Sequence, residues 1–258
     1  MRWVASGVLL GSLAAGLGFA PASWLASALS AAGGQRLLLA DARGTVWQGS
    51  AVMVLTGGEG SHDASALPGR LRWTLGLDGL ALALRARHAC CINGELRLRL
   101  VPSLAGLRVD LPAVQGPIGQ WPAAWLVGLG TPWNTLQPSG SLRLSSSGLR
   151  VESVQGRWRF SGQAVLEMGS MASRLSTLPV LGSYRLQLLG DAAGGEATAV
   201  QLSTTSGALQ LSGSGQWAAS KLRFSGQASA AAGSEAALNN LLNIIGRRKG
   251  ALSLISIG

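Results

Sequence analysis

The chain has 258 residues, 47% of them apolar and only 12% charged, with 37 Gly, two Cys and a formal net charge of +10. Disorder is excluded because it needs low hydrophobicity and high charge, and a polytopic membrane protein is excluded because only one stretch is long and apolar enough to span a bilayer. With 11 acidic residues and two His, few groups are left for acid–base chemistry or metal ligation, and the composition argues against an enzyme.

From Trp3 to Gln35 the chain carries no charge, and Arg2 stands just before that run. The Val-, Leu-, Ala- and Gly-rich stretch from Trp3 to Trp24 is long enough as a helix to cross a hydrocarbon core of about 30 Å. Trp3 and Trp24 stand where indoles prefer the headgroup level, and Arg2 with the α-amino group favours a cytoplasmic N-terminus. Residues 1–24 are therefore expected to be a membrane anchor, with Arg2, Trp3 and Trp24 as its interface residues, and residues 25–258 a single exported domain. A cleavable signal peptide with Ala26-Ser27-Ala28 as its cleavage site is the competing reading, disfavoured because a signal core is usually only about 7–15 residues long. Export on either reading removes nucleic acid as a partner and leaves anionic lipid or acidic envelope surfaces.

Beyond Gln35 the dominant period is two. Arg70–Leu77, Leu80–Arg87, Glu95–Leu100, Gly140–Leu144, Ser183–Leu188 and Ser206–Leu211 alternate polar with apolar residues between Gly, Pro, Asp, Asn or Ser. That pattern predicts short antiparallel strands with one covered face. Gly44 to Gly49 reads as a turn followed by a strand carrying Trp47 as a core anchor. Six prolines between Pro102 and Pro138 break the middle third into loops. The apolar residues of Ile118–Leu129 are too clustered to assign between helix and loop. Ser234–Arg248 is the clearer helix: Ser234 stands at the N-cap, and Leu238, Leu241, Leu242 and Ile245 fall at i, i+3, i+4 and i+7. Gly246 suits its stop, and Arg247, Arg248 and Lys249 complement the dipole. Such a helix covers a sheet edge or face, or docks on a partner or membrane.

His62 lies in a Gly/Ser-rich loop, and His88 ends a strand beside Cys90 and Cys91. No third ligand is spaced to complete a zinc site there, and adjacent cysteines on a strand point to opposite faces. Two free or buried thiols are expected, ahead of a strained vicinal disulfide or an intermolecular bridge. There is no P-loop and no G-x-S-x-G elbow between a strand and a helix, so catalytic, cofactor and metal residues are all set at none. Gly213 and its neighbours read as a bulge or bend within a strand.

One repeat is visible. Arg159-Phe160-Ser161-Gly162-Gln163-Ala164 recurs as Arg223-Phe224-Ser225-Gly226-Gln227-Ala228, as similar hairpin units along an extended sheet would produce. Basic residues come in i, i+2 pairs: Arg70/Arg72, Arg85/Arg87, Arg97/Arg99, Arg157/Arg159 and Lys221/Arg223. Members of a pair share a strand face. Solvated faces that resist aggregation explain them, and a positive stripe for an acidic partner is the functional alternative. Its candidate residues are Arg157, Arg159, Lys221, Arg223, Arg247 and Arg248.

The single N-terminal span followed by Gly44-Thr45-Val46-Trp47-Gln48-Gly49 resembles the protein N family of the bacterial type II secretion system. The resemblance continues through Pro68-Gly69-Arg70-Leu71-Arg72-Trp73 and Gly156-Arg157-Trp158-Arg159-Phe160-Ser161-Gly162, then from Leu241-Leu242-Asn243-Ile244-Ile245-Gly246-Arg247 to Gly258. It implies a single-pass inner-membrane protein with a periplasmic domain, an accessory part of a machine exporting folded proteins through an outer-membrane secretin, with secretin or inner-membrane platform subunits as partners. It carries no catalytic residues and no cofactor. The fold expected is mainly β, an antiparallel sheet with one or two short helices after a single transmembrane helix. The alternative function is a periplasmic lipid-handling protein, since a curved sheet with one apolar face can cradle acyl chains.

Overall fold

A computed structural model describes residues 16, 18–104, 106–154, 157–190, 198–218 and 221–258. Arg2, Trp3 and most of the expected span lie outside them. Among the described residues no helix is long and apolar enough to cross a membrane.

The described strands join in one 16-stranded antiparallel sheet: β1 Leu37–Gly44, β2 Gln48–Thr56, β3 Ala64–Ala66, β4 Leu71–Asp78, β5 Ala81–His88, β6 Leu96–Ser103, β7 Gly106–Leu111, β8 Gly119–Pro122, β9 Ser139–Val154, β10 Arg157–Ala172, β11 Gly182–Gly190, β12 Thr198–Gly207, β13 Leu209–Ala218, β14 Lys221–Ala230, β15 Arg247–Lys249 and β16 Leu252–Ile257. Its order is β1-β2-β4-β5-β6-β7-β9-β10-β11-β12-β13-β14-β16-β15, with β3 added to β2 and β8 to β9. The mainly β, antiparallel expectation thus holds. The middle third holds β6, β7 and β8, and Pro102 and Pro122 lie within strands rather than loops. The Ser206–Leu211 run is a hairpin turn rather than a strand, closing β12 at Gly207 and opening β13 at Leu209.

Two cores cover the inner face. At one end helix α1 (Ala22–Ala32) lays Ala22 against Leu39, Ala51 and Trp73. The Trp73 indole N–H donates to the Val46 carbonyl at 3.0 Å, and a Cβ on Gly49 would lie 2.5 Å from the Trp73 ring. Trp73, 3% exposed, is therefore the aromatic anchor; Trp47 sits half-buried in the turn before β2 instead. At the other end lies the 3-10 helix Ala123–Leu129, which resolves the ambiguous segment together with β8. Helix α2 (Trp133–Leu136) follows it, and helix α3 (Glu235–Ile245) completes the cover. In α3, Leu238, Leu241 and Leu242 are sealed against Leu142, Met171, Leu181, Tyr184, Leu209 and Ala228. The i, i+3, i+4 spacing placed that stripe correctly. The expected basic helix end is not there: Gly246 is extended, and Arg247–Lys249 turn away into β15.

Strand β9 keeps its apolar side chains inward along its 16 residues by one irregularity. Leu144 faces Leu166, but beyond it Leu149 faces Gly162, with the register shifted between them. An extra residue at Ser147-Gly148, where Gly148 has φ +112°, restores the phase that strict alternation would lose. The recurring hexapeptide lies in two strands, β10 and β14, but Gly162 takes a positive φ opposite this bulge while Gly226 pairs regularly. Gly213 is no bend either: a Cβ there would lie 2.4 Å from the Phe224 ring that crosses it.

Candidate functional site

The outer face is charged, and its densest part lies on β2 and β4–β6. Register places Arg72 opposite Arg87 and Arg85 opposite Arg97. Like charges in these positions repel. Glu95 offsets part of this, binding Arg87 at 2.7 Å and Arg97 at 2.8 Å, while Asp41 binds Arg70 at 2.7 Å and Arg43 at 2.9 Å. The Arg97 guanidinium beside Glu95, and Arg70 beside Asp41, hold those carboxyls below their usual range. Arg72 and Arg85 have no ion pair among the described residues. Six arginines against two carboxylates leave a surplus of four positive charges around a depression of about 630 Å³ lined by Arg43, Ser50, Arg72, Thr74, Arg85 and Glu95. Further along the same face Asp110 bonds Arg150 at 2.6 Å, which raises the Arg150 pKa, and Arg99 pairs with Asp78 at 3.3 Å.

The residues singled out from sequence are dispersed. Arg159 faces Glu152 and is half-buried, and Arg223 is exposed opposite Gln216, on the same face but four strand steps away, about 19 Å. Arg157 and Lys221 open β10 and β14. Arg247 and Arg248 are exposed on the edge strand β15. Trp24 projects from α1, 61% exposed. What the fold does assemble is the Arg72–Arg85–Arg87–Arg97 cluster. Its signal was present in the sequence as three basic pairs in three consecutive strands, which hairpin connections bring side by side.

His88, Cys90 and Cys91 meet where β5 ends. Ala89–Cys91 is a turn, not a strand, so the two sulfurs do not diverge; Cys90 and Cys91 form a vicinal disulfide, correcting the expectation of free thiols. His88 Nδ1 lies 3.3 Å from Cys90 Sγ, and burial holds its pKa below the usual 6.5. These three residues bring their potential ligand atoms within 4.8 Å of one another, but sulfurs bonded to each other offer no thiolate. The loop then fastens to β8, with Ile92 bridging Gly119 and Asn93 N–H donating to the Ile118 carbonyl at 2.9 Å.

Between the two cores the inner face is apolar, and among the described residues no helix lies over it. Leu82, Leu100, Val109, Val151 and Phe160 belong to neither core cluster.

One continuous antiparallel sheet, apolar inside and arginine-rich outside, defines a mainly β protein. The chain belongs to the family of type II secretion system (T2SS) protein N, whose family model matches residues 35–254. That places it with the type II secretion machinery of the cell envelope. No curated protein and no solved structure matches it.

Proposed function

We propose that the chain is a non-enzymatic, single-pass accessory subunit in the inner membrane. The apolar segment ahead of Ala20 holds it there, and the sheet with helix α1 works in the periplasm through contacts with secretin or platform subunits. The observation that carries this reading is the outer arginine cluster, where Arg72 and Arg85 face other arginines and are left for an acidic partner. The packing of α1 favours an anchor over a cleaved signal: Ala20 and Ala22 are buried, Pro21 bridges to Thr45, and Ala20 accepts the Val46 N–H at 2.8 Å. Cleavage after Ala28 would strip these contacts from the domain.

Two experiments test it. Alkaline phosphatase fused after Gly258 is active only outside the cytoplasm; an inactive fusion overturns the topology. In-cell crosslinking of wild type and of Arg72→Gln with Arg85→Gln should recover a secretion subunit with wild type and lose it in the variant, with a loss that shrinks at high salt. Equal recovery removes the arginine cluster from the interface.

A further inference from the structure

The uncovered part of the inner face forms a trough. Leu77 on β4 faces Leu82, Leu82 faces Leu100, Leu100 faces Val109, Val109 faces Val151, and Val151 faces Phe160 on β10. The rung crosses five strand steps, about 24 Å, while along the strands the eight residues of β5 run about 26 Å, longer than the acyl chain of one leaflet, which spans half of a hydrocarbon core about 30 Å thick. Beside this rung, across β10–β13, the face is concave. Phe160 and Trp217 meet edge-to-face with ring centroids 6.1 Å apart, although β11 and β12 lie between their strands and a flat sheet would separate those strands by about 14 Å.

The two ends of the trough differ. One is closed by β3 on β2, by the 3-10 helix, where the Trp125 indole donates to the Ser65 carbonyl at 3.0 Å, and by the disulfide loop fastened to β8. The other end is open. Its hairpin tips present Leu80 at 97% and Leu104 at 112% exposure, with Leu77 at 79% beside them. The β1–β2 turn lies at this same end, since Gln48 faces Thr74, and there the N-terminal segment enters through Pro21 and Thr45 with Phe19 80% exposed. Behind the opening, on the outer face, Arg99 pairs with Asp78 and Arg108 with Asp110, each at 3.3 Å.

Leucines that stay in water are unfavourable, and leucines beside an emerging apolar segment with arginines behind them match a bilayer surface. We propose that the open end rests on the membrane and that the trough takes up an acyl chain of a membrane glycerophospholipid. The proposal rests on the membrane-anchored reading above. Cell fractionation and the phosphatase fusion report on that reading separately from lipid occupancy.

The test uses the full chain in its own membrane, with photoreactive p-benzoylphenylalanine at Leu77, at Val151, or at Ser203 on the exposed outer face of β12. Leu77 is open enough to accept the probe without disturbing the fold. After irradiation, mass spectrometry of the purified chain should show phospholipid adducts at Leu77 and Val151 and none at Ser203. Leu80→Asp with Leu104→Asp should lower adduct yield about tenfold or more, because two leucines lose their transfer into hydrocarbon, while circular dichroism stays unchanged. Adducts to a protein partner or to a second copy in place of lipid would overturn the proposal. So would absence of lipid at both trough positions, or equal labelling at Ser203.

Discussion

Leu241 on α3 offers a direct measure of how firmly the closing helix is held. Its side chain is 1% exposed and packs between two other sealed leucines, Leu238 and Leu242. Replacing it with Ala removes about three carbons, worth about 0.8 kcal/mol each on transfer, hence about 2.4 kcal/mol. The strands beneath are tied into a continuous ladder and cannot collapse into the gap, so an unrelaxed cavity adds about 1–2 kcal/mol. Leu241→Ala should therefore cost about 3.4–4.4 kcal/mol, read as a lower urea midpoint with unchanged slope by tryptophan fluorescence of the full-length chain. On heating, the same loss corresponds to roughly 7–18 °C for a domain of this size. Asn240, its exposed neighbour, should tolerate Ala within about 0.5 kcal/mol. A loss below about 1 kcal/mol for Leu241→Ala would refute the sealed-core account and return α3 to the role of a detachable docking helix.

Replacing Arg72 and Arg85 by Gln should raise stability at low salt by about 0.2–1 kcal/mol per relieved pair, with the gain fading at high salt, even as partner capture falls. His88 has a depressed folded pKa, so its contribution is complete above the unfolded value of 6.5 and is lost as pH falls below it. Denaturation midpoints measured between about pH 7 and about pH 5.5 should fall more for wild type than for His88→Gln. Maleimide should leave the intact chain unlabelled and add two labels only after reduction, since both cysteines are paired. Labelling without reductant would contradict the disulfide.

The strands were legible because alternation is written residue by residue, and a half-covered antiparallel sheet reads out that period directly. Other features depended on register, which a single strand does not encode. Whether Trp47 or Trp73 fills the core follows from which strand lies over Gly49. Alternation ran straight through Ser206–Leu211 because the tight turn at Gly207 kept the phase, so the hairpin was invisible as a break. The bulge in β9 left a trace, the change from even-numbered Leu142 and Leu144 to odd-numbered Leu149 and Val151. Helix α1 was hidden for a different reason: its Ala-rich sequence continues the apolar stretch that begins at Trp3 without any charge to mark a new element. The arginine cluster required pairing the strands, not only finding the pairs.

Strand order in this sheet follows chain order except for β3 and β8, which are side additions, and the reversed last pair. Most strands on the main path thus find their neighbour through a short connection, the longer ones being β7 to β9 across residues 112–138 and β14 to β16 across residues 231–251, so few must wait for distant partners. For a polypeptide threaded across a membrane from its N-terminus, this arrangement lets the sheet grow hairpin by hairpin at the exit site, before the remainder has emerged. Helix α3 comes out near the end, when the surface it seals is already built, and the charged strand Arg247–Lys249 follows as the outermost edge, where its cations discourage a second chain from continuing the ladder.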